Sequence, residues 1–172
     1  MRYLIFIILI TSFSCKNSEK ISSVHLSQAS VEKNETMQTE TNGEDLVTAE
    51  FMGLLNNHRL GIGLKEMILV HELSDIATQH SLDMANNLVS FGHNGFSDRC
   101  SDGRDVLNGA RWCGENVARG QKSAKTVFMA WMNSPGHRAN IEKALATHTG
   151  FGFVESASGS IYWTQIFFGV SL

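Results

Sequence analysis

Four ionisable side chains stand in or beside apolar, glycine-containing stretches: His93, Glu115, His137 and His148. Two imidazoles and a carboxylate can hold a zinc ion while leaving one coordination position open. With a metal-bound water, Glu115 would be the candidate catalytic base. A second chemistry would use Ser134, His137 and Glu115 as nucleophile, base and orienting acid, but no Gly-x-Ser-x-Gly elbow occurs in the chain. The residues lie far apart in sequence, so ordinary hydrogen bonding remains the alternative role for each.

The stretch Ala130–Ile141, AWMNSPGHRANI, contains the only proline. Ser134 suits a helix N-cap and Pro135 the first helical position. His137 then falls on the third helical position, where unpaired backbone N–H groups and the helix dipole disfavour protonation. A neutral imidazole is the form that binds a metal or acts as a base. A plain helix start with a surface histidine is the simpler reading of the same residues.

Flanking elements must position these groups. Thr48 can cap a first helix with Phe51, Leu54, Leu55 and His58 at helical spacing, ended by Gly61-Ile62-Gly63. A second helix is expected from His71 to Asn86, its apolar face formed by Leu73, Ile76, Ala77, His80 and Met84; His80 reads as a core histidine. The span from Asn87 to Gly114 looks irregular, with a turn at His93-Asn94-Gly95 and a short helix from Ser101. Glu115–Ala118 reads as extended, and Ser123 caps a third helix over Ala124–Asn133. Strands are expected at Gly150–Val154 and Ile161–Gly169, joined by a hairpin-length turn. In the second, Ile161, Trp163 and Phe167 face one way and Tyr162, Ile166 and Phe168 the other, so both faces must be covered. This pattern predicts an α+β fold with helices on both sides of a mostly antiparallel sheet.

With 172 residues, the chain can bury one sizeable core. A net charge of −3 and the lack of a Lys/Arg run in the folded part argue against a nucleic-acid partner. Residues 1–14 read as an export signal: Arg2, an apolar run from Tyr3 to Ile10, then small residues before Cys15. Cys15 is placed as the lipidated cysteine of a lipoprotein signal is, although Ser12 and Phe13 depart from that pattern. Residues 15–45 are polar and read as a tether, and 46–172 as the folded domain. In an exported chain, Cys100 and Cys113 are expected to pair, because neither has a Cys or His neighbour at ligand spacing.

Six blocks, in order, resemble the CAP superfamily of SCP-domain proteins: cysteine-rich secretory proteins, antigen 5 and plant pathogenesis-related proteins. They are LLNNHR at Leu54–Arg59, HSLDMA at His80–Ala85, GENVA at Gly114–Ala118, AWMNSPGHRANI, GFG at Gly150–Gly152 and YWTQ at Tyr162–Gln165. The bacterial branch is the nearest match, and the likeness runs from about Leu46 to Gly169. It implies a three-layer α-β-α sandwich and a cavity bearing His93, Glu115 and His137, with a divalent metal such as zinc held by His93 and His137 in some members. The second glutamate found after the helical tryptophan in many eukaryotic members is absent here, where Met132, Asn133 and Ser134 follow Trp131. His148 matches no position of that cavity.

The expectation is an exported, membrane-tethered module that binds a small ligand, a lipid or a cell-wall fragment rather than an enzyme. It would sit in the periplasm or at the cell surface through lipid on Cys15. The alternatives are a metal-dependent hydrolase using Glu115 with His93 and His137, and a surface interaction protein without small-molecule chemistry.

Overall fold

A computed structural model describes residues 43–170. The expected leader at 1–14, Cys15 and the tether as far as 42 lie outside these residues. The described part begins with helix α1, which covers 43–61. Thr48 therefore lies inside this helix and does not cap it. Its half-buried side chain is accommodated because the neighbouring turns pack Phe51 and Leu55 into the core. The helix ends at the expected glycines, with Gly63 at φ 78°.

Strand β1 (Ile68–Leu69) leads directly into helix α2 (His71–Ala85). Helix α3 (Phe96–Val106), strand β2 (Ala110–Arg119), helix α4 (Ala124–Met132) and helix α5 (Pro135–Ile141) follow, then strands β3 (His148–Glu155) and β4 (Ile161–Val170). The sheet order is β1-β3-β4-β2; β1 runs parallel to β3 and the other pairings are antiparallel. Among the described residues this makes an α+β fold with a mostly antiparallel central sheet.

Alternation along β4 distributes the core as its sequence demands. Trp163 and Phe167 pack with Phe51, Leu55, Val127, Trp131 and Ile141, which come from α1, α4 and α5. Ile166 and Phe168 pack with Leu73 and Ala77 of α2, and Tyr162 packs with Met84. Helices thus cover both faces, completing the expected three layers. Gly150 and Gly152 are required by close approach: a Cβ on either would lie 2.2–2.3 Å from the backbone of α2. The capping box at Ser123 forms as expected, with Ser123 and Thr126 bonding reciprocally.

Two further expectations need correction. The irregular span contains an eleven-residue helix, α3, starting at Phe96 rather than near Ser101. Its polar sequence hides it, since only Cys100 and Gly103 are buried. Ser134 occupies the N-cap position of α5, but its side chain makes no capping bond, and Pro135 begins the helix without it.

Candidate functional site

β2 is the outer strand of the sheet, so its successive side chains point to different layers at an open edge. Glu115 faces the α2/α3 side, as do Cys113 and Val117; Asn116 faces the α4/α5 side, as do Trp112 and Ala118. Each residue of Gly114-Glu115-Asn116 has its own reason. A Cβ on Gly114 would lie 2.7 Å from the Trp112 ring and 3.2 Å from Asn140 Oδ1. Asn116 is fully buried and fastens α5: its Nδ2 donates to the His137 carbonyl at 3.1 Å, and its Oδ1 accepts from Asn140 Nδ2 at 2.9 Å. Asn140 Nδ2 also donates to the Glu115 carbonyl at 3.1 Å.

The Glu115 carboxylate is almost wholly withdrawn from water, its side chain 1% exposed. A charge so placed needs partners, and it has two. His93 Nδ1 donates to Oε1 at 2.8 Å. Arg99 grips both oxygens, Nε to Oε2 at 2.6 Å and Nη2 to Oε1 at 2.8 Å. The planar guanidinium fork matches the carboxylate in a paired, charge-assisted geometry. Arg99 Nη1 also donates to the Asn94 carbonyl at 2.7 Å, within the turn that carries His93. That turn is the one expected from His93-Asn94-Gly95: the Phe96 N–H donates to the His93 carbonyl at 3.0 Å, and Gly95 has φ 75°.

Because His93 turns Nδ1 to Glu115, Nε2 is the ring nitrogen left for another partner, and half of this side chain is open to solvent. His137 sits at the third position of α5, as the sequence places it. Burial holds its pKa below the ordinary imidazole value, and the nearby charge of His93 acts in the same direction. His93 thus stands on the α2/α3 side of β2, and His137 on α5, which Asn116 and Asn140 fasten to the same strand.

His148 is not part of this group. It starts β3, its Nδ1 is hydrogen-bonded with Thr147 Oγ1 at 2.9 Å, and burial lowers its pKa. His80 is the core histidine expected: it is buried, its Nε2–H donates to the Gly92 carbonyl at 2.9 Å, and burial lowers its pKa. The Ser134–His137–Glu115 relay does not form, since Glu115 bonds to His93 and not to His137. Cys100 and Cys113 are joined as a disulfide that ties α3 to β2. Arg99 escaped the sequence reading because an arginine in a polar stretch resembles any solvated cation; its place next to Cys100 was the available signal.

As a metal site, the residues offer two imidazole nitrogens. Among the described residues no set of three His, Cys, Asp or Glu side chains converges on a point, and Glu115 is engaged on both oxygens. A cation held by the two imidazoles would have to draw its remaining coordination from water or a bound ligand. One cavity of about 530 Å³ lies beside α1, α2 and β3; another of about 490 Å³, between α2 and α3, is lined by His80, Asn94, Gly95 and Arg99 and adjoins the turn that carries His93.

Comparison with known proteins agrees with the architecture. The sequence model of the cysteine-rich secretory protein family, CAP, matches residues 52–167. The Bacillus subtilis protein YkwD is 37% identical over 145 residues, 82% of this chain and 54% of its own length. The chain thus spans about half of that relative. An extracellular protein of Bacillus anthracis containing an SCP domain superposes with a TM-score of 0.61 at 27% identity, over 70% of this chain and 39% of the other. An outer surface protein of Borrelia burgdorferi shares the fold with a TM-score of 0.61 at 15% identity, over 72% and 92% of the two chains. Among the described residues no helix is long and apolar enough to cross a membrane.

Proposed function

The chain belongs to the cysteine-rich secretory protein family, and from that premise we propose that it is an exported binding module, tethered to a membrane by lipid on Cys15, that takes up a small ligand at His93 and His137. The carrying observation is the buried Glu115 carboxylate, which holds His93 by Nδ1 and leaves Nε2 for a ligand. Carboxylate-to-imidazole bonding of this kind is how proteins orient a histidine that binds a metal. A divalent cation such as zinc, held by His93 and His137, would supply Lewis acidity and a point of attachment for an oxygen of the ligand. A lipid head group or a cell-wall fragment offers such an oxygen. The extracellular and outer-surface character of similar proteins supports export.

A hydrolase is less well supported. Glu115 is neutralised by Arg99 and engaged by His93, which leaves it a poor base. The serine version lacks the Glu115–His137 bond it needs.

Zinc loading followed by dialysis tests the proposal. The wild type should retain near-stoichiometric zinc and the His93→Ala/His137→Ala protein should not; equal retention would overturn the metal reading. Mass spectrometry of lipid extracts from protein purified from its native host tests the ligand. Membrane association should be lost in Cys15→Ala, and its persistence would contradict the tether.

A further inference from the structure

We propose that the cavity between α2 and α3 is a second binding site, which takes an organic cation with an N–H-bearing ammonium group on an apolar body, His80 Nδ1 being the acceptor. It shares no ligating group with His93 and His137 and stands whatever those two residues bind.

His80 is the buried group of that cavity with bonding capacity to spare. It lines the cavity and is 2% exposed. Its Nε2 meets the Gly92 carbonyl at 2.9 Å, and a carbonyl only accepts, so Nε2 carries the ring proton. Burial favours the neutral ring, in which Nδ1 is a lone pair. Among the described residues Nδ1 has no hydrogen-bond partner. A buried acceptor left unmatched costs free energy, which a donor entering the cavity recovers.

The surrounding charges select the sign of that donor. Asp75, Asp83, Asp98 and Asp102 line the cavity against one cation, Arg99. The Arg99 charge is already met by Glu115 on both oxygens. Asp98 lies in the first turn of α3 and answers the positive end of that helix. Asp83 accepts from Gln79 Nε2 through Oδ1 at 2.8 Å, which leaves Oδ2. Asp75, Asp83 and Asp102 therefore give the cavity an excess of negative charge. Among the described residues no three such groups converge as the ligands of a metal ion must. The excess suits a larger cation whose apolar body lies against Ile76 and Val89. A volume of about 490 Å³ is in the range of small-molecule sites.

Both walls are fixed. Leu73, Ala77 and Met84 pack α2 on the sheet. Helix α3 buries only Cys100 and Gly103, yet Gly103 lies flat on Phe168, whose ring a Cβ would enter at 2.1 Å. The disulfide and the Arg99–Glu115 ion pair fasten α3 to β2. Binding therefore does not have to order the walls, which favours affinity.

Titration of the full-length protein with hexylammonium, hexyltrimethylammonium and n-hexanol tests the proposal, with a chelator present to keep metals out of the readout. The imidazole nitrogen resonances of His80 and the methyl resonances of Ile76 and Val89 report binding. Hexylammonium should move all three residues. Hexyltrimethylammonium keeps the charge without an N–H, and n-hexanol keeps a donor without the charge; each should bind about tenfold more weakly. In Asp83→Asn/Asp102→Asn, hexylammonium should lose about tenfold in affinity while n-hexanol stays within about twofold. A lysine side chain offers the same group, so Nα-acetyl-lysine methylamide is compared as well. Affinity within about twofold of hexylammonium assigns the natural ligand to a peptide, and a loss of about tenfold assigns it to a free amine; both support the site. Unmoved His80 nitrogens under hexylammonium overturn the proposal. So does either control binding as tightly as hexylammonium, or an affinity for hexylammonium that the aspartate variant leaves unchanged.

Discussion

Arg59 and Arg99 both reach into the protein away from water, yet one is surrounded by carbonyl oxygens and the other by a carboxylate. Arg59, at the end of α1, is 1% exposed. It donates to the carbonyls of Lys65, Ile141, Lys143 and Ala146 at 2.6–3.1 Å. Burial without a carboxylate partner pulls its pKa below the ordinary arginine value. Backbone dipoles cannot leave or change charge, so Arg59 works as a fixed strut between α1 and the segment joining α5 to β3. Arg99 balances the buried Glu115 carboxylate that also holds His93, so altering it acts on the charge of the site rather than on the frame. The same side chain serves as architecture in one place and as a setting of the site in the other.

The sharpest way to break this contrast is Arg59→Met. Four carbonyls lose their donor, and unfolding by denaturant should show a loss of about 3 kcal/mol or more, with zinc affinity unchanged in the folded fraction. A loss below about 1 kcal/mol, or altered zinc affinity, would mean that Arg59 is not the strut described. Gly103→Ala should come next. Its new methyl overlaps the Phe168 ring, so about 2 kcal/mol of stability and the exchange protection of α3 should both fall. Gly53→Ala on α1 meets nothing within 4 Å and should instead stabilise by up to about 1 kcal/mol. If the two glycine variants behave alike, α3 is not seated as described.

The smallest effect concerns pH. His80, His137 and His148 all have folded-state pKa values depressed below 6.5. Below that value the unfolded chain binds more protons than the folded one. Stability is therefore complete above 6.5 and falls as pH drops below it. His80→Gln can keep a donor for the Gly92 carbonyl and should flatten part of that slope in a series of unfolding curves. An unchanged slope would assign it to the other histidines.

What could be read from the sequence depended on how each element is held. Both faces of β4 were legible because each carries large apolar groups that must meet a layer. His80 was legible because it interrupts an apolar helical stripe. The helix α3 was not, since a disulfide, a glycine contact and an ion pair replace the apolar face that periodicity detects. β1 escaped for its brevity, two residues in parallel with β3. The position of Ser134 could be inferred from Ser-Pro, but its missing hydrogen bond could not. The pairing of Arg99 with Glu115 spans sixteen residues, from α3 across a turn to β2, and composition carries no trace of it.

The order of strands has a consequence for how the protein comes into being. β4 follows every other described element in the chain, yet it lies between β3 and β2 and pairs with both. The sheet cannot close while β4 is still on the ribosome. Cys100 and Cys113 precede it and can reach an oxidant first, so the bridge can form on a thread that has not yet folded. Folding then waits for β4 to arrive and be inserted between the strands that will flank it, so the site takes its shape last.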